Sequence, residues 1–369
     1  MKSLAFGDRP GPKSQPRKAF WGPLLGLRGG DSLAAGMKAD PANPILATLT
    51  RGDLVESHHR GAYALFDQAG TLLVAAGDIE RPVYPRSSIK AFQCLALIES
   101  GAADKFAFGE EEIALACSSH NGEEEHLRVV RAMLDKAGCD ESQLECGPHW
   151  PIAEAAHHQL VAGGQEAQPI HNNCSGKHAG MLAFARGIGV EPKGYVHPNH
   201  PIQKRIAEAM SALCDCEMAS QPCALDGCSV PTWAIPLRKL ALSFARFTDP
   251  QNKTAARIIS AVRAHPFLVA GTKRFDTELM SEVPRVFIKT GAEGVYCACI
   301  PHAGIGIALK IDDGASRASQ LALASLLASL DVWTDEEARA LNKFSSKVLR
   351  NRCERIIGEA RGARGPSLL

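Results

Sequence analysis

The order in which strand-like and helix-like stretches follow one another constrains this chain most. Residues 45–50, 54–58, 62–67 and 71–75 read as strands, with Gln68-Ala69-Gly70 as the turn of a hairpin. Helical periodicity then dominates over 88–100, 110–117, 123–136, 152–161, 175–186, 202–213, 231–247 and 254–263. Strand character returns at 285–289, 295–300 and 306–311, and a strong helix follows over 316–330. Strands first, helices in the middle and strands last is an α+β order rather than alternating βαβ. It predicts one antiparallel sheet built from N- and C-terminal strands, with a largely helical middle packed against it.

Charge excludes some partners. The 369 residues carry 41 Lys and Arg against 40 Asp and Glu, so no strong field steers nucleic acid or a membrane surface. The apolar run Leu321–Leu330 is broken by Ser325 and Ser329 and is too short to cross a bilayer. A chain this long builds its own core without disulfide staples. Its 12 cysteines, several of them in apolar strand or helix patterns, therefore read as reduced thiols of a cytoplasmic protein. Residues 1–36 hold six Lys and Arg against two Asp, with scattered Gly and Pro, and read as an extended or disordered segment. Residues 37–335 read as one long domain, and 336–369 as a C-terminal helix and frayed, Arg-rich tail.

Three short motifs carry chemistry. Ser87-Ser88-Ile89-Lys90 is an S-x-x-K at the start of a buried helix, where one turn sets Ser87 beside Lys90. A lysine takes a serine proton only when neutral, and burial or a nearby cation pushes it that way. Ser119-His120-Asn121 is an S-x-N between two helices, and Lys289-Thr290-Gly291 a K-T-G at a strand end. Alone, the first reads as a helix cap with a solvated lysine and the last as a turn. Together, in this order and context, they resemble the motif set of penicillin-binding proteins and serine β-lactamases.

The likeness extends further. Arg86-Ser87-Ser88-Ile89-Lys90, Ser118-Ser119-His120-Asn121-Gly122, Asn172-Asn173-Cys174-Ser175-Gly176-Lys177-His178, Asp226-Gly227-Cys228 and Lys289-Thr290-Gly291-Ala292-Glu293-Gly294 together resemble the class 3 L-asparaginases. The resemblance runs from about residue 45 to residue 333. It implies a serine β-lactamase-like fold, a homodimer and two Ser–Lys pairs, Ser87 with Lys90 and Ser119 with Lys289. Arg86, Asn121, Gly291 and Asp226 would bind substrate. It also implies one zinc ion per chain on Cys174, Lys177 and Cys228, with Asp226 supporting the ligands. Spacing alone favours two buried structural thiols there, because lysine is a rare ligand. Hydrolysis of L-asparagine is the activity expected, with Ser87 as nucleophile by analogy with S-x-x-K enzymes and Ser119–Lys289 relaying the proton. A glutaminase or β-lactamase-like hydrolase, or a ligand-binding sensor without turnover, are the rival readings.

Overall fold

The computed structural model describes residues 42–363; the extended segment expected over residues 1–36 lies outside them. Eight strands form one sheet: β1 (Ile45–Arg51), β2 (Leu54–Asp67), β3 (Leu72–Ala76), β4 (Phe287–Thr290), β5 (Val295–Ile300), β6 (Ile305–Ile311), β7 (Ser346–Arg350) and β8 (Ile356–Gly362). Their spatial order is β7-β8-β1-β2-β6-β5-β4, with β3 also paired to β2. Every pairing is antiparallel. The first and last described strands thus share a sheet, and the fold is α+β.

Three departures from the sequence reading have local causes. The break expected after His58 is absent. β2 runs on for 14 residues and changes partner instead: Leu54–Arg60 face β1, and Gly61–Asp67 face β6. At the changeover a Cβ on Gly61 would stand 2.3 Å from the Lys310 carbonyl oxygen. The helix expected over 231–247 begins only at Leu237, after Pro236. Pro231–Trp233 is extended and pairs with Cys223–Leu225. The tail expected to fray forms the β7–β8 hairpin, which pairs with β1 through Ala47–Gly362, Thr48–Arg361 and Leu49–Ala360.

The longer helices are α1 (Lys90–Glu99), α2 (Glu110–Ala116), α3 (Glu124–Lys136), α4 (Glu154–Ala162), α5 (Ser175–Gly187), α6 (Pro201–Cys214), α7 (Leu237–Arg246), α8 (Lys253–Ala264), α9 (Phe275–Glu282), α10 (Ser316–Ala328) and α11 (Asp335–Phe344). Helices cover both sheet faces. α7 lies so close to β6 that a Cβ on Gly306 would meet the Ala245 nitrogen at 1.9 Å. On the opposite face, Leu309 shares a crevice with Ala322 and Leu326 of α10. Among the described residues no helix is long and apolar enough to cross a membrane.

One packing feature positions the site. α1 is buried from Lys90 through Ile98, as a helix enclosed on all sides must be. Phe92 packs on Phe244 and Phe247 of the α7 region at ring distances of 4.5 and 5.2 Å. Phe287 of β4 packs on the same two rings at 6.2 Å. Phe92 stands two residues beyond Lys90 and Phe287 two residues before Lys289, so this aromatic cluster brings two distant lysines together.

Candidate active site

Both lysines converge on one hydroxyl. Lys90, 1% exposed, donates from Nζ to Ser119 Oγ at 3.0 Å, to the Ser118 carbonyl at 2.5 Å and to Cys174 Sγ at 3.1 Å. Lys289, also 1% exposed, donates to Ser119 Oγ and to the Thr290 carbonyl, each at 2.9 Å. The Ser119 loop is anchored by its own N–H on the Val269 carbonyl at 2.9 Å. Burial, reinforced by the charges of Lys90 and Arg274 against the opposing pull of Asp276, lowers the Lys289 amine from 10.5 to about 7. A substantial neutral fraction of a buried amine near pH 7 is what proton transfer requires.

Ser87 and Lys90 are not hydrogen-bonded through their side chains among the described residues. They sit on consecutive turns, Arg86–Ile89 and then α1, and the Lys90 N–H donates to the Ser87 carbonyl. The Ser87 side chain is half-buried, whereas Ser88 Oγ is buried and donates to the Pro85 carbonyl at 2.8 Å. Arg86 takes the left-handed φ of 54° immediately before Ser87, a strained setting for a non-glycine residue.

The expected substrate-binding residues are largely engaged with protein. Arg86 donates from Nε and Nη2 to Asp226 Oδ1 at 2.9 and 2.7 Å, so these two neutralise each other. The Asn121 amide nitrogen donates to the Thr272 carbonyl at 3.0 Å, and its oxygen accepts from Arg274 Nη1 at 2.9 Å. Gly291 lies against the Ser87 turn, where a Cβ would meet the Pro85 carbonyl oxygen at 2.5 Å. K-T-G therefore needs its glycine for close packing of β4 on the S-x-x-K turn.

A sulfur–amine cluster adjoins this centre. Lys177 Nζ stands 3.0 Å from Cys228 Sγ, and Cys174, Lys177 and Cys228 are all buried. The Cys228 thiol falls to about 4, through its hydrogen bond from Cys174 and then the Lys177 charge, against burial. Cys174 rises to about 12 through the same hydrogen bond and burial. Burial opposes the charge on Lys177, but the two sulfurs outweigh it and raise its pKa. The result is an ammonium–thiolate pair. Among the described residues no three His, Cys, Asp or Glu side chains converge as a metal site. A metal in this cluster would rest on two sulfurs and an amine, the donor set that the family resemblance implies.

Two links join the clusters. One is the Lys90–Cys174 contact. The other is His120, whose Nδ1 accepts from the Gly122 N–H at 3.1 Å, leaving Nε2–H to donate to Ser175 Oγ at 2.9 Å. Burial holds His120 well below the ordinary imidazole pKa, so it is neutral. The sequence reading gave it no role, and it missed Arg274 and Asp276 because it missed α9 and the loop before it. Arg274 Nη1 also donates to the Ser119 carbonyl at 3.2 Å. Asp276 accepts from the Thr290 N–H at 2.9 Å and from the Tyr296 hydroxyl, beneath Lys289. Gly271 was the available sequence signal for that loop.

A family model described as L-asparaginase II matches residues 47–362. No curated protein matches the chain. Among solved structures, a β-lactamase from Mycobacterium bovis is similar at a TM-score of 0.36 and 14% identity, over 77% of this chain and 95% of that one. Mglu in its native form is similar at a TM-score of 0.33 and 17% identity, over 74% of this chain and 64% of that one. The α+β description rests on the sheet topology above rather than on these likenesses.

Proposed function

The chain belongs to the L-asparaginase II family, and from that premise we propose that this amidohydrolase converts L-asparagine to L-aspartate and ammonia through a serine acyl-enzyme. The observation that carries the mechanism is the convergence of Lys90 and Lys289 on Ser119 Oγ, with the Lys289 amine held at about 7. Ser87, the half-buried hydroxyl at the start of the same turn, attacks the side-chain amide carbon. Its proton passes to Ser119 Oγ as Ser119 gives its own to neutral Lys289, with Lys90 holding Ser119 Oγ in place, and it returns to the leaving nitrogen as ammonia departs. Water then attacks the aspartyl ester, gives its proton to the same relay and releases L-aspartate with Ser87 restored. A hydrogen bond from the Ser87 hydroxyl to Ser119 Oγ would form with substrate bound, since catalytic hydrogen bonds often close only in the complex.

The double lysine contact also favours a second reading, in which Ser119 is itself the nucleophile. Rapid quenching of turnover followed by peptide mass analysis separates the two. Ser87→Ala removes the trapped aspartyl group in the first reading, whereas in the second the group stays on Ser119. Ammonia release from asparagine and glutamine, measured side by side, separates asparaginase from glutaminase. Binding without turnover would support a sensor instead.

Cys174, Lys177 and Cys228 fit a zinc ion in donor chemistry. They are two thiols, one already ionised by its neighbours, and an amine, buried together. Zinc would supply a divalent charge that ties the 174 and 228 loops together, displacing the proton from Lys177. Metal content of the purified chain and of Cys228→Ser tests this, with loss of bound zinc expected in the variant. A homodimer and a cytoplasmic location complete the proposal. The 12 free cysteines fit a reducing compartment.

A further inference from the structure

Two arginines border the Ser–Lys centre, and only one of them is neutralised. Arg86 is paired with Asp226. Arg274 is half-buried and forms no salt bridge among the described residues. Its Nη1 is committed, to the Ser119 carbonyl at 3.2 Å and to Asn121 Oδ1 at 2.9 Å. Its Nε and Nη2 have no protein acceptor among the described residues. Two acids close to it are engaged elsewhere, and Glu278, one turn on, is exposed. Glu123 accepts from the Thr272 N–H and hydroxyl, and Asp276 from the Thr290 N–H and the Tyr296 hydroxyl.

The loop before Arg274 is shaped to deliver it. Gly271 has φ +116°, and a Cβ there would press on the Asn121 side chain at 2.7 Å; Lys273 takes the left-handed φ of 58°. The left-handed Lys273 persists because the packing around it holds it there. A guanidinium with free forked donors beside the Ser119–Lys289 pair is suited to binding a carboxylate.

We infer that Arg274 is the specificity-determining residue that receives the α-carboxylate of the substrate on Nε and Nη2, while its Nη1 holds the Ser119 peptide in place. The inference rests on the asparagine reading. In asparagine the carboxylate and the scissile amide are separated only by the α-carbon and one methylene, so the anchor has to lie as close to the reacting centre as Arg274 does. One guanidinium then measures the spacing between the carboxylate and the hydroxyl. Amides without that carboxylate lose their anchor.

The test compares L-asparagine with β-alaninamide, which has the same amide and amino group without the α-carboxylate. The wild-type chain should prefer asparagine, and Arg274→Gln should lower that preference on the order of 10²-fold in kcat/KM. Arg274→Lys should restore part of it, and free guanidinium should restore asparagine turnover to Arg274→Ala. Inhibition by L-aspartate against β-alanine reads the same preference without turnover. A purely structural role would weaken both substrates and both inhibitors alike, and an unchanged preference in Arg274→Gln overturns the inference. A wild-type chain that hydrolyses a different amide but not asparagine overturns the parent reading instead.

Discussion

Lys289→Met should give a protein that is inactive and more stable. The wild-type amine is fully enclosed, and its pKa is pulled from 10.5 to about 7 chiefly by burial. That gap corresponds to about 5 kcal/mol of unfavourable free energy for carrying the proton in the fold, at about 1.4 kcal/mol per pH unit. Methionine fills a similar volume with no charge. Loss of the hydrogen bonds to Ser119 Oγ and the Thr290 carbonyl returns about 1 kcal/mol each, leaving a net gain of about 3 kcal/mol at pH 6. The unfolded lysine binds its proton up to 10.5 and the folded one only up to about 7. Wild-type stability therefore rises with pH across that window, and the advantage of the variant shrinks across it. Urea unfolding of both proteins at pH 6, 7.5 and 9 measures the difference, and comparing the pair cancels the titrating groups remote from Lys289. A variant that is less stable at pH 6, or a difference that does not change with pH, would refute a buried, destabilised amine and with it the proposed base.

Gly291→Ala should cost about 1–3 kcal/mol of stability by overpacking, since its Cβ would meet the Pro85 carbonyl oxygen at 2.5 Å; it should also lower kcat by displacing the Ser87 turn, and unfolding and ammonia-release assays read the two effects. Glu337 caps α11 by accepting from the Thr334 N–H and hydroxyl, and pairs with Arg285, which holds its carboxyl at about 2. Its contribution is present above pH 4.5 and is lost as pH falls towards 2, so Glu337→Gln should lower Tm at pH 7 and leave it little changed at pH 2. Stripping metal with a chelator should lower the Tm of the wild-type chain but not that of Cys228→Ser, because a ligand that binds only the folded state stabilises it. His120→Phe keeps the ring over His126 but deletes the bond to Ser175 Oγ; zinc affinity and kcat should fall together in that variant, as metal titration and turnover would show.

The fold was legible where the chemistry is periodic. β1, β5, α3, α5 and α10 lie within a residue or two of the stretches read from sequence, and their order was enough for α+β. Residues 346–362 were not legible. Their charges read as a solvated tail, and only the pairing of β8 with β1 makes them strands. Residues 231–236 were misread because an apolar stretch before a helix continues its pattern, while Pro236 stops the helix itself. In the site, the motifs named the right neighbours but not the bonding. S-x-x-K spacing puts Ser87 and Lys90 on neighbouring turns, yet Lys90 points to Ser119 and Cys174, which are distant in sequence. Arg274 and Asp276 belong to no motif. Their importance comes from long-range packing of the 271–276 stretch on Asn121 and Thr290, which local pattern does not encode.

The most direct measurement is ammonia release from L-asparagine by the purified full chain, run beside Lys289→Met. The account predicts one ammonia for each L-aspartate formed, a rate that rises with pH through about 7 as Lys289 loses its proton, and no turnover by the variant. Absence of ammonia from the wild-type chain, or undiminished turnover by Lys289→Met, would contradict it.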